Sequence, residues 1–140
     1  MRVEMWYSSE ASELWTTTKS TGVNLGGWLV QVFIIDSTFW NSHSPNASDE
    51  WTLCKTLGDA CGPVLEHRYK SFITRADIDT LASVGVSILC IPTTYAAWID
   101  LPGSELYSGN QRTYLQRTTE YAIRRCGMHV IIDVHSLPGV

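Results

Sequence analysis

The stretch IIDVHSLPGV, residues 131–140, sets Asp133 and His135 two positions apart and then turns through Ser136, Pro138 and Gly139. Side chains alternate along a strand, so Ile131, Asp133 and His135 share one face. An unpaired carboxylate facing an apolar helix layer is costly, so this face is expected to look away from the helices. His135 at the strand tip can then touch a ligand, with Asp133 one layer below to orient its ring. The same spacing suits a structural Asp–His hydrogen bond, and spacing alone does not separate the two. A second group, Tyr95, Trp98 and Asp100, follows the apolar run VSILCIP in an aromatic-rich loop. Aromatic plates beside Asp, His and Asn suit sugars, which offer apolar C–H faces and rings of hydroxyls. A loop folded over its own aromatics reads the same way.

Other chemistries leave no pattern. Glycosidic cleavage takes two carboxyl groups flanking the bond. Asp36, Asp49, Glu50, Asp100, Glu105 and Asp133 stand nearest the strand tips, none with a partner that the sequence identifies. There is no nucleophile elbow and no glycine-rich phosphate loop. Cys54, Cys61, Cys90 and Cys126 form no CxxC pair and no zinc-like spacing with His43, His67, His129 or His135. Cys54 and Cys61 are close enough for a local disulfide in an oxidising compartment. The expectation here is four small, buried or half-buried thiols.

The elements that position these groups alternate. GVNLGGWLVQVFII (22–35) reads as a first strand whose glycines allow close backbone approach, followed by a polar loop over 36–45. A short helix is expected over 47–57, capped by Ser48 and stopped by Gly58, and another over 63–72. Thr74-Arg75-Ala76-Asp77 resembles a capping box, with Ile73 and Ile78 placed for a hydrophobic staple and Gly85 as the stop. VSILCIP (86–92) reads as a buried strand stopped by Pro92. Residues 111–126 make a helix with Leu115, Thr118, Ala122 and Ile123 on one stripe, a Glu120–Arg124 pair and Gly127 as the stop. MHVIIDVH (128–135) follows as another buried strand. Strands joined by crossover helices imply an α/β fold with a parallel sheet, open or closed into a barrel. In either form function gathers at the carboxyl ends of the strands.

The chain has 140 residues, 44% of them hydrophobic and 17% charged, which suits one globular domain. A net charge of −4 argues against nucleic acid as a partner. The acid excess lies in the first 60 residues, three Lys/Arg against seven Asp/Glu. No stretch approaches the roughly 20 apolar residues of a membrane span, so no membrane partner is expected. MRVEMWYSSEASELW shows no basic start with an uninterrupted apolar run, so no signal peptide is read. Asn46-Ala47-Ser48 fits the N-glycosylation pattern, which matters only in a secreted chain. The six Trp serve either as core or as stacking platforms.

Taken in order, GVNLGGWLV (22–30), DEWTLCKTLG (49–58), HRYKSFIT (67–74), DIDTLASVGVSILCIP (77–92) and IIDVHSLPG (131–139) resemble the amino-terminal part of fungal-type exo-β-1,3-glucanases of glycoside hydrolase family 5. The resemblance covers about residues 22–140 and leaves 1–21 as a loose leader. It implies a (β/α)8 barrel of which this chain holds about the first three βα units. It further implies a retaining mechanism with two Glu, β-1,3-glucan or a related glucoside as substrate, no cofactor, and a secreted or cell-wall setting.

Carried over position by position, His135 matches the family's histidine after the third strand, lining the subsite of cleavage. Tyr95 matches an aromatic position after the second strand. Asp133 and Trp98 complete the candidate substrate-binding set, and no catalytic residue is assigned. Three positions depart from the pattern: Cys90 stands for the usual Arg, Val32 for the usual Glu, and Ser136 for the usual Gly. The family's acid/base and nucleophile follow the fourth and seventh strands, so the chain is expected to be truncated before both. The missing carboxyl-terminal part of the barrel is then a candidate partner. The alternative reading is a catalytically dead, carbohydrate-binding remnant.

Overall fold

The computed structural model describes residues 19–138. The expected leader over 1–21 therefore lies almost wholly outside the described residues. Among them three parallel strands, β1 (Gly22–Asn24), β2 (Ile88–Thr93) and β3 (His129–Val134), form one sheet in the order β1-β2-β3. Five helices accompany it: α1 (Ser37–His43), α2 (Glu50–Leu57), α3 (Cys61–Ser71), α4 (Arg75–Ser83) and α5 (Gln111–Cys126). This is the expected α/β architecture of about three βα units.

Register settles the faces. Asn24 aligns with Cys90 and Cys90 with Ile131, while Leu89 aligns with Val130 and Ile91 with Ile132. Leu89 and Ile91 are fully buried against Ile78 of α4, Leu115 and Ala122 of α5, and Leu65 of α3. The opposite face carries Asn24, Cys90, Ile131 and Asp133, and is open. β3 is consequently much more exposed than a buried strand, with Ile131 at 55%. Its outer edge has no hydrogen-bonded neighbour among the described residues and its inner face has no cover.

The helix signals in the sequence are realised unevenly. α5 spans the expected residues, and Gly127 adopts the left-handed conformation that ends it. Leu115 and Ala122 are buried, but Ile123 is exposed, and Glu120 accepts a hydrogen bond from Gln116. The Thr74–Asp77 box forms in both directions ahead of α4. β2 runs through Pro92 to Thr93 rather than stopping at the proline.

Four local expectations change. The first strand is only Gly22–Asn24. The backbone then turns at Gly27, whose φ of +72° and close approach to Ile35 exclude a side chain. The polar loop over 36–45 contains α1, capped by Asp36 through the Phe39 amide. Asp49, not Ser48, caps α2, sharing a reciprocal box with Thr52. Cys54 and Cys61 are joined as a disulfide, with Cα atoms 4.9 Å apart, tying α2 to α3; Cys90 and Cys126 are free.

One buried cation fixes the segment between β1 and α1. Arg68 of α3 is 7% exposed. Its Nε donates to the Gly27 carbonyl at 2.8 Å and its NH1 to Asp36 Oδ2 at 2.9 Å. Phe39 and Phe72 cover the guanidinium. Arg68→Met leaves the Gly27 carbonyl without its donor and Asp36 without its countercharge. It should lower the unfolding free energy by about 2–4 kcal/mol in urea titrations, below the limit for a fully buried pair because Asp36 is partly exposed. Asp36→Asn should cost only about 1 kcal/mol, because its amide oxygen still caps α1.

Candidate active site

The carboxyl ends of the strands meet the start of α2 around a cavity of about 710 Å³. One wall is the segment after β1, with Val30, Gln31, Val32 and Phe33. The opposite wall carries Thr94, Tyr95, Leu106 and His135 to Leu137, and Ser48 to Thr52 close the third side. The lining is mostly apolar with a few convergent polar groups, the usual character of a small-molecule site.

Two of the candidate residues reach this cavity. His135 follows β3 directly, its amide donating to the Thr93 carbonyl at 2.8 Å. Its Nδ1 lies 2.9 Å from Asp133 Oδ2. A carboxylate accepts from the protonated nitrogen, so Asp133 selects the Nδ1–H tautomer and leaves Nε2 as an acceptor. Asp133 thus acts on the site through His135, as the shared strand face implies. Tyr95 stands in a 3-10 turn (Tyr95–Ala97) after β2. Its hydroxyl is paired with Ser104 Oγ at 2.7 Å, and its amide donates to Ser136 Oγ at 3.4 Å. Ser136 therefore joins the tips of β2 and β3.

Trp98 is placed elsewhere. Its indole N–H donates to Thr93 Oγ1 at 3.0 Å, and its ring lies beside Arg112 of α5. It lines a separate groove with Leu115 and Ile132 on the helix side of the sheet. The exposed aromatics at the cavity are Phe33 and Trp51, while Trp28 and Trp40 are core residues. Val32 lies in the cavity wall. Cys90 sits between Asn24 and Ile131 on the open face, deeper in the sheet than Asp133.

Glu50 is the residue whose role the sequence conceals. As the first residue of α2 it reads as an acid favouring the helix dipole. Because Asp49 takes the cap, Glu50 turns inward and is 5% exposed. Its Oε2 accepts from the Gln31 amide at 2.7 Å, and Gln31 Nε2 donates back to the Trp28 carbonyl at 2.7 Å. Glu50 Oε1 and the Gln31 amide oxygen Oε1 are buried without a protein partner. Burial pushes the Glu50 carboxyl up to about 7, against the lowering pull of the Gln31 amide. Burial and then the neighbouring Glu50 charge push the Tyr69 phenol up as well. By contrast the Phe39 amide, then Arg68, hold Asp36 low, and the Thr52 amide holds Asp49 low. Among the described residues no three His, Cys, Asp or Glu side chains cluster closely enough to hold a metal ion.

No protein-family model matches the chain. Curated proteins do. Probable glucan 1,3-beta-glucosidase A of Aspergillus niger is 40% identical over 119 residues, covering 84% of this chain and 28% of that protein. Glucan 1,3-beta-glucosidase 1 of Schizosaccharomyces pombe is 39% identical over 129 residues, covering 89% of this chain and 31% of that protein. Among solved structures, the rutinosidase from Aspergillus niger is 65% identical, superposing with a TM-score of 0.86 over 89% of this chain and 35% of its own. AoRut is 67% identical, with a TM-score of 0.85 over 89% of this chain and 34% of its own. The chain thus spans about a third or less of each of these relatives.

Glu50 makes stability depend on pH. Its folded value of about 7 lies above the ordinary glutamate value of 4.5. Between them the native state holds the extra proton, so stability is complete below about pH 4.5 and falls as pH rises through 7. Urea titrations should show a loss on the order of 3 kcal/mol from this group across that window. Glu50→Gln keeps the acceptor for Gln31 and should remove that component of the slope. An unchanged slope in the variant would assign it to other groups.

Proposed function

We propose, for a chain related to the amino-terminal part of family 5 glycoside hydrolases, that it forms one side of a saccharide site in an O-glycosyl hydrolase. The observation that carries this reading is the pairing of His135 with Asp133 at the rim of the strand-end cavity. Held in the Nδ1–H tautomer, His135 can accept a sugar hydroxyl at Nε2. Phe33 and Trp51, both exposed at the cavity, offer flat faces to the C–H side of a pyranose ring, and the buried Tyr95 backs the opposite wall. Cleavage with retention takes an acid and a nucleophile about 5 Å apart across the bond. The cavity carboxyls of this chain are engaged otherwise, Asp49 in a helix cap and Glu50 on a backbone amide. The bond-cleaving pair is therefore assigned to later strands of the family's barrel, and this chain to positioning substrate.

The curated relatives favour a β-1,3-glucan or related glucoside as substrate. A second reading, a rutinoside, is favoured by the 65–67% identity to AoRut and the Aspergillus niger rutinosidase, against about 40% to the glucosidases. Val32, in the cavity wall where the glucanases usually hold a Glu, agrees with a changed sugar preference. A carbohydrate-binding remnant without turnover would use the same wall, and Cys90 in place of the usual Arg is the residue that favours it.

Titration of the folded chain with laminari-oligosaccharides and with rutinose should quench tryptophan fluorescence. The sugar that binds more tightly identifies the substrate class. His135→Ala should weaken that binding about tenfold, or about 1.4 kcal/mol. Trp51→Phe should remove most of the signal. No quenching by a chain that circular dichroism finds folded would refute the saccharide site. In a polypeptide carrying the later strands, Cys90→Arg should raise turnover if Cys90 is a weakened catalytic support.

A further inference from the structure

We propose that Asn46 carries an N-linked oligosaccharide at the edge of the strand-end cavity. Of the four Asn in the chain, only Asn46 is followed two residues on by Ser or Thr, with Ala between. The fold presents this acceptor well. Asn46 is exposed in the turn that joins α1 to α2. The turn is fixed from both sides: the Ala47 amide donates to the Ser44 carbonyl at 3.1 Å, and the Ser44 amide to the Trp40 carbonyl at 2.8 Å. Ala47 itself is buried with Trp40 and Leu53. Asn46 therefore points outward on an anchored support. Ser48, the third residue of the acceptor pattern, is also exposed.

A second observation bears on the compartment. The Cys54–Cys61 disulfide lies one helix along from the turn. Such bonds persist in oxidising compartments such as the endoplasmic reticulum lumen and outside the cell, and are rare in the cytosol. That lumen is where eukaryotic cells load asparagine with sugar. The disulfide and the acceptor turn thus fit the same route through the cell, and neither needs the cavity to bind a substrate.

The transfer balances without a redox step. The Asn46 side-chain nitrogen attacks C1 of the reducing-end sugar of a lipid diphosphate-linked oligosaccharide. A C1–N bond forms, the C1–O bond to the diphosphate breaks, the lipid diphosphate leaves with the electron pair, and an amide proton passes to a base. Ser48 and Asp49 line the cavity, so the first sugars of the glycan stand beside its mouth on the α2 side.

The test is to express the full chain in yeast behind a secretion leader and recover it from both the medium and the microsomal lumen. Enzymatic deglycosylation in heavy-oxygen water should leave labelled Asp at position 46, with the glycan released from the folded protein without denaturant. Asn46→Gln and Ser48→Ala should abolish the glycan, and Ser48→Thr should keep it. Unmodified Asn46 in lumenal chain whose Cys54–Cys61 bridge has formed would overturn the proposal. A glycan that is released only after denaturation would overturn the exposed placement on which it stands.

Discussion

Between β1 and α1 the backbone leaves the sheet with no ladder to pair its polar groups, and two ionisable side chains from the helical layer hold it in place. Arg68 takes the Gly27 carbonyl and the Asp36 carboxylate, and Glu50 takes the Gln31 amide. Both are nearly buried, so each bond forms in a medium where an unmade partner is expensive. The segment they fix supplies the Val30–Phe33 wall of the strand-end cavity. Without these anchors that wall would be a loop with apolar side chains and no defined position.

The two anchors differ in how they are compensated. The Arg68 guanidinium has a countercharge, a carbonyl and two aromatic rings. Glu50 has one amide and no cation, so burial favours its neutral form. The result is a site wall that is rigid on the α3 side and sensitive to proton concentration on the α2 side. The opposite wall depends on the β2 and β3 tips, which Ser136 and the Thr93 carbonyl hold together. His135 is aimed from that wall by Asp133, so the polar groups of the cavity come from independent supports.

The sequence was most legible where local signals agreed. Residues 111–126 carry an apolar stripe, basic residues in the last turn and a terminal glycine, and α5 has those bounds. The Thr74–Asp77 box and the shared face of Asp133 and His135 were equally local, and both are realised. The run GVNLGGWLVQVFII misled because its strand ends at Asn24: Leu25, Trp28 and Leu29 turn into the core, while Phe33, Ile34 and Ile35 are exposed beyond it. α1 has seven residues and too few turns to show a period, and its cap is an Asp that also serves Arg68. Glu50 looked like an ordinary first-turn acid, since only the choice of Asp49 as cap turns it inward. Trp98 follows the second strand in the same loop as Tyr95, but the 3-10 turn Tyr95–Ala97 sends its ring to the other side of the sheet. The disulfide needed the 4.9 Å approach of Cys54 and Cys61 that the turn after α2 creates.

The central claim is that the segment after β1 and the tips of β2 and β3 act together as the facing walls of one saccharide site. Amide chemical-shift mapping of the isotope-labelled chain, titrated with a short β-1,3-gluco-oligosaccharide and with rutinose, tests it directly. The account predicts that the amides of Val32, Phe33, Tyr95 and Ser136 shift together along one saturating curve for at least one of these sugars. Shifts confined to the helix-side groove around Trp98, or scattered without a common curve, would contradict it.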